Sequence, residues 1–128
     1  MIEVVKIVGE TVMKFTLPLP ETTNAIYRSG LGGWYKSAKA KTWENRAGWE
    51  LKRQWNKQKI LGDVSVGIVF YLKRDRDIDG SIKPTLDLLE RTGVIENDKY
   101  VQALIVEKKK TRGKPKMEVE IQEVQIVV

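Results

Sequence analysis

The order of expected elements is strands, helix, strand, helix, strands. It predicts an α+β fold in which a mostly antiparallel, mixed β-sheet carries two main helices. Three patterns produce that order. Trp43, Ala47, Leu51 and Trp55 recur every four residues, the spacing of one helix face. Residues 64–72 form an almost unbroken apolar and β-branched run, as a well-buried strand requires. Residues 100–107 and 117–127 are strand-like again and close the chain.

Taken in order, residues 2–8 and 11–17 are β-rich and separated by Gly9-Glu10, so a hairpin or two adjacent strands is expected. Leu17-Pro18-Leu19-Pro20 ends regular pairing, because each proline lacks an amide donor. Residues 21–35, with Asn24, Gly30, Gly32 and Gly33, read as an irregular loop. The helical pattern runs from about 37 to 59, slightly weakened by Gly48. Eight Lys and Arg residues from Lys36 to Lys59 face only Glu44 and Glu50, so an aromatic stripe is backed by a strongly basic remainder. The stripe reads as core, and the cations as a solvated or phosphate-facing surface.

After the strand at 64–72, a second helix runs to about Arg91, with Asp79 or Ser81 as cap, Pro84 in the first turns and Gly93 as stop. Between the last two strands, Lys108–Lys116 reads as a loop with six basic residues plus Gly113 and Pro115. No internal repeat or low-complexity tract interrupts the chain, and its 128 residues fit one domain spanning 1–128.

Composition narrows the chemistry. Cysteine and histidine are both absent, which excludes disulfides, thiol catalysis, zinc sites built on His or Cys, and imidazole proton shuttles. Catalysis would rest on carboxylates, Lys, Arg, hydroxyls and hard metal ions. The net charge of +6 favours polyanionic partners, since cations near phosphate release condensed counterions. No apolar run approaches the roughly 18 residues that span a bilayer. The first eight residues are too polar and short for a signal peptide. The expected partner list therefore holds no membrane, and the expected location is the cytoplasm.

One constellation carries chemistry. Asp77 and Asp79 are two apart after the strand at 64–72, so in an extended chain both face one side while Ile78 turns to the core. Lys83 follows four residues later, on the same helix face as Asp79. Asp98 lies nineteen residues beyond Asp79 and joins them only if the connection folds back. Carboxylates without nitrogen or sulfur ligands suit Mg²⁺, with Mn²⁺ as a substitute. A cation so held can activate water, polarise a phosphodiester and stabilise the leaving oxygen, while Lys83 stabilises developing negative charge. Asp-x-Asp at a strand–helix junction also serves as a cap or turn without function. Two other readings stand beside metal-assisted phosphodiester cleavage of DNA: a non-catalytic basic DNA-binding module, and a metal-dependent enzyme acting on another nucleic-acid or nucleotide substrate. Arg74 and Arg76 alternate with the acids, and with Lys108, Lys109, Lys110 and Arg112 they are the candidate phosphate contacts.

The segment Arg76-Asp77-Ile78-Asp79-Gly80-Ser81-Ile82-Lys83-Pro84, followed by Gly93-Val94-Ile95-Glu96-Asn97-Asp98-Lys99-Tyr100-Val101, resembles the RusA family of Holliday junction resolvases. That family's pattern is Arg-Asp-x-Asp-Asn, a Lys shortly after, a helix ending in Gly, and an Asp-Asp pair before a Val-bearing strand. Leu17-Pro18-Leu19-Pro20 with Asn24 and Tyr27-Arg28 is similar to the family's Pro-rich start, so the resemblance runs from about residue 12 to the C-terminus. It implies a RusA-like fold and a homodimeric, Mg²⁺-dependent endonuclease that resolves four-way junctions by paired nicks during recombination and repair. By position it implies Asp77, Asp79 and Asp98 as catalytic metal ligands and Lys83 as the essential lysine. Two departures stand out: Gly80 where Asn is usual, and Asn97 in place of the first acid of the Asp-Asp pair.

Overall fold

The final strand organises the sheet. The computed structural model describes residues 4–7, 13–20, 27–30, 33–36 and 38–127. They form β1 (Val4–Ile7), β2 (Met13–Leu17), β3 (Tyr27–Gly30), β4 (Gly33–Lys36), α1 (Ala38–Gln54), β5 (Val64–Leu72), α2 (Asp79–Thr92), a one-turn 3₁₀ helix (Asp98–Tyr100), β6 (Val101–Lys110) and β7 (Lys116–Val127). β7 pairs antiparallel with β5 on one side, and on the other with β2 and then β1. β5 pairs in parallel with β6. The sheet is therefore mixed, with two helices, as an α+β fold requires.

Why β5 and β6 run parallel follows from what joins them. A two-residue turn reverses a chain, whereas a helix carries it back along the sheet so that the next strand runs the same way. α2 is that crossover. The apolar run at 64–72 fits a strand covered on both flanks, and its parallel pairing with β6, like the isolated Ile60–Ile95 bridge, departs from the mostly antiparallel pattern.

The core lies on the helix-bearing face. Met13, Phe15 and Leu17 of β2, Val66, Ile68 and Phe70 of β5, and Met117, Val119 and Ile121 of β7 point into it and are buried. Trp43, Ala47 and Leu51 of α1 and Leu88 and Leu89 of α2 pack onto them in one cluster. Each large side chain so buried contributes about 1.5–3 kcal/mol. The tryptophan stripe is thus core: Trp43 is buried, Trp55 is half-buried against the same cluster, and Trp43 Nε1 donates to Pro18 O at 2.9 Å.

Several boundaries differ from expectation. α1 stops at Gln54, because Lys57 takes a left-handed φ of 70° and Gln58 N donates to Asn56 Oδ1, a tight turn that consumes the next amides. α2 begins without a side-chain cap, since Ile78 holds the cap position in place of Asp79 or Ser81. Its C-terminus matches expectation: Gly93 has φ 90°, and its N–H reaches Glu90 O at 3.0 Å. Tyr27–Gly30 and Gly33–Lys36 pair as an antiparallel two-stranded unit, in place of an irregular loop. β1 and β2 do not form a hairpin with each other, since both use β7 as partner; Gly9, Glu10 and Asn24 lie outside the described residues. Lys108–Lys110 belong to β6, so the basic loop shrinks to 111–115.

Candidate active site

β5 delivers the chain to the junction where Asp77 and Asp79 stand. Ile78 between them is half-buried against the core, and both aspartates are exposed. Ile78 has φ −112° and ψ −10°, already right-handed, so the pair is set by the start of a helix and not by extended alternation. Lys83 lies one turn further on. Its side chain is 72% exposed, and among the described residues its partner is Asp87, at 3.4 Å. Such a long, solvated i,i+4 pair holds the ammonium loosely.

The carboxylates of Asp77 and Asp79 make no hydrogen bond or ion pair with the described residues. Their neighbours do. Lys108 Nζ donates to Asp75 Oδ1 at 2.7 Å and to Arg76 O at 3.3 Å, strapping the 73–78 segment onto the end of β6. That hydrogen bond first, and the ammonium's charge second, hold the Asp75 carboxyl below its ordinary range. Arg76 turns inward: Nη2 donates to Pro20 O at 2.7 Å and to Ser81 Oγ at 3.4 Å. It ties the proline segment to the first turn of α2.

Asp98 stands elsewhere. In the parallel register Val64 is level with Val101 and Leu72 with Lys110, so Asp98, just before Val101, lies at the end of the sheet where β5 begins. Asp77 and Asp79 follow the end where β5 finishes. The fourteen residues of α2 separate the two, a span of roughly 20 Å at the helical rise. Among the described residues, no three acidic side chains gather closely enough to hold a metal ion. One chain therefore does not bring the three aspartates together, because the connection does not fold back. The sequence signal was present: strands joined by a helix run parallel, and their corresponding ends stay far apart.

Asp98 is nonetheless presented. It opens a 3₁₀ turn capped by Asn97, whose Oδ1 accepts from Lys99 N at 2.9 Å, while Glu90 Oε1 accepts from Asp98 N at 3.1 Å. Its carboxylate is exposed and also makes no hydrogen bond or ion pair with the described residues. Asn97 thus has a local task that Asn and Asp perform about equally well, so its departure from the family pattern costs little.

Charge is polarised along the strands. Lys73, Arg74, Lys109, Lys110, Arg112 and Lys114 crowd the end bearing Asp77 and Asp79, all exposed. The opposite end carries Asp63, Glu90, Glu96, Asp98 and Glu123, with Lys59 and Lys99 among them. Of the candidate phosphate contacts, Arg74, Lys109, Lys110 and Arg112 are exposed, whereas Arg76 and Lys108 are engaged within the protein. Sequence patterning did not reveal those two internal roles, since their acceptors are backbone carbonyls and a carboxylate brought close only by folding.

A basic α+β sheet with exposed aspartates and a lysine at a strand–helix junction is the frame on which family identity rests. The model of the family described as endodeoxyribonuclease RusA matches residues 17–122, and the chain belongs to that family. It is 37% identical over 100 residues to the crossover junction endodeoxyribonuclease RusA of Aquifex aeolicus (strain VF5), covering 77% of this chain and 79% of that relative.

Proposed function

We propose that the protein is a homodimeric, Mg²⁺-dependent endonuclease that resolves four-way DNA junctions by paired nicks, each site combining Asp77 and Asp79 of one protomer with Asp98 of the partner. The observation that carries it is the placement, at opposite ends of one β5–α2–β6 unit, of three exposed carboxylates that pair with no described side chain. Antiparallel juxtaposition of two copies brings opposite ends together twice, once at each site. A four-way junction has approximate two-fold symmetry, so a two-fold dimer offers one site to each of two strands.

The donor set fits the ion. Three carboxylates without nitrogen or sulfur ligands suit Mg²⁺ or Mn²⁺, and none is tied up by a described lysine or arginine. When bound, the cation supplies charge neutralisation and polarisation of the scissile phosphate. Asp77 and Asp79 orient the phosphate-bearing end of the site. Lys83, loosely held by Asp87, exchanges that partner for a phosphate oxygen and stabilises the charge that grows as the P–O bond breaks. Arg74, Lys109, Lys110 and Arg112 hold the DNA arm by its backbone, which favours shape over sequence.

Subunit mixing tests this reading. An Asp77→Asn protomer and an Asp98→Asn protomer, co-purified through different tags, place both lesions in one shared site and leave the other intact. The mixed dimer is then expected to nick junctions in Mg²⁺, although each homodimer is inactive. A mixed dimer as inactive as its parents would overturn the shared site.

A further inference from the structure

Trp49 stands six residues from both Trp43 and Trp55, out of step with the four-residue spacing of the buried stripe of α1. It is turned away from the sheet and is 64% exposed, the one aromatic among the exposed large hydrophobic residues described. A single exposed apolar side chain is ordinary. This one, however, is held in place. Arg53 lies over the indole, with Cζ 5.9 Å from the ring centre, and Arg53 Nη2 donates to Glu50 Oε2 at 2.7 Å. The ring thus carries a guanidinium on one face, and a carboxylate fixes the guanidinium.

Beside the indole, a groove of about 440 Å³ runs between α1 and α2. Gly48 and Leu88 are part of its lining, and a Cβ added at Gly48 would meet Leu88 Cδ1 at 3.8 Å. A glycine in mid-helix weakens the helix, and here its missing side chain keeps the groove deep. Asn45, Trp49 and Lys52 line the α1 side at spacings of four and three, with Lys41 one turn ahead of Asn45. The side chains of Lys41, Asn45 and Lys52 are exposed and make no hydrogen bond or ion pair with the described residues. Both carboxylates nearby are engaged, Glu50 by Arg53 and Glu44 by Arg91 at 3.2 Å. The charge left over along the groove is positive.

We infer that this groove binds a segment of single-stranded DNA. A base stacks on the face of Trp49 that Arg53 leaves open, the Asn45 amide meets its edge, and Lys41 and Lys52 take the flanking phosphates. Each group suits one part of a nucleotide: the indole offers a π face, the amide a donor and an acceptor, and the ammonium groups positive charge. A duplex fits less well, because its bases are stacked on one another and show the indole no free face. An acidic peptide would use the cations but neither the indole nor the amide. Arg91 follows Glu90, whose carboxylate accepts from Asp98 N, so the groove lies toward Asp98 and away from Asp77 and Asp79. The groove rests on the nuclease reading above only for the class of its occupant; its shape and charge are independent of catalysis.

Anisotropy of a fluorescein-labelled oligothymidylate, measured in EDTA so that no cleavage intervenes, tests the groove. The wild-type protein is expected to bind it, and Trp49→Ala to bind about 5- to 150-fold more weakly, the range for one stacked base. Trp49→Phe is expected to restore most of that loss, because the smaller ring still stacks. Lys52→Ala should lower the slope of log affinity against log salt by about 0.7, the single-strand value for one phosphate. The same oligonucleotide annealed into a duplex should be bound equally by wild type and Trp49→Ala. Circular-dichroism spectra of all variants are expected to match wild type, since both residues are exposed. The groove is overturned if the wild-type protein does not bind the oligothymidylate, if Trp49→Ala binds it as well as wild type, or if single strand and duplex lose affinity alike. It is also overturned if an oligoglutamate peptide displaces the probe as readily as unlabelled oligothymidylate does. Weakened single-strand binding by Trp49→Ala combined with an inactive mixed dimer would keep the groove and remove the shared site. Unchanged single-strand binding with an active mixed dimer would do the reverse.

Discussion

Asp79 opens α2 and Asp98 follows its far end, so the two aspartates are held apart by the length of one helix. That separation is rigid, because α2 packs through Leu88 and Leu89 onto the sheet and ends in a left-handed glycine cap. Any joint role for the two carboxylates must be played between copies of the chain.

Substituting Asp77, Asp79 or Asp98 singly with Asn is expected to reduce junction cleavage at least about 10²-fold, since under the proposed function it removes a metal ligand outright, where even supporting groups matter by about 10–100-fold. Junction binding should be retained or tightened, because negative charge near phosphate is removed. Lys83→Ala is expected to lower the cleavage rate by about 10²–10³-fold with little change in binding. Single-turnover cleavage and anisotropy titration of a labelled four-way junction, run side by side, check all four. Full cleavage by any aspartate variant contradicts the assignment.

Binding should weaken steeply with salt. Each of Lys109→Ala, Lys110→Ala and Arg112→Ala is expected to reduce the slope of log affinity against log salt by about one, the change for a single phosphate that is no longer neutralised. Lys108→Ala should change that slope less, because its ammonium is already committed to Asp75 and the Arg76 carbonyl. Equal slopes for wild type and all four variants would place the DNA elsewhere.

Arg76 is a structural residue at the edge of the site. Removing its side chain in Arg76→Ala leaves the carbonyl of the buried Pro20 without its 2.7 Å donor. The expected loss is about 1–3 kcal/mol in urea unfolding, the usual cost of an orphaned buried polar group. A variant of wild-type stability would show that the tie is dispensable.

The Asp75–Lys108 pair carries an acid-side signature. Its carboxyl is held low in the folded protein, so the pairing contributes above the unfolded carboxyl's range near pH 4 and is lost as pH falls through the folded value. Asp75→Asn is therefore expected to lower Tm slightly at neutral pH, with the difference vanishing once pH falls below the lowered value of the folded carboxyl. A difference that persists in acid would assign the effect to something other than the ion pair.

Gly93 holds φ at 90°, where a side chain is strained although the space is open: an added Cβ meets only Trp55 Cη2, at 3.8 Å. Gly93→Ala is expected to cost about 1 kcal/mol, and Gly93→Asn less, since Asn tolerates the left-handed region better. Thermal melts of the two variants rank them.

What the sequence determined by itself was the chemistry and most of the elements. The absence of His and Cys left carboxylates, Lys, Arg and hydroxyls as the available groups, and spacing together with family resemblance singled out Asp77, Asp79, Lys83 and Asp98 as candidates. Strand 64–72, the α1 stripe and the Gly93 stop were legible because side-chain periodicity and glycine conformation are local properties. Tertiary structure decided what depends on partners distant in the chain. It turned the Gly-rich segment into a β3–β4 pair, drew Arg76 and Lys108 inward, and aligned β5 with β6 in parallel. Strand direction is set by the path of the connection, a relation between successive elements that no single segment's periodicity carries, and it was that direction that sent Asp98 away from Asp77 and Asp79.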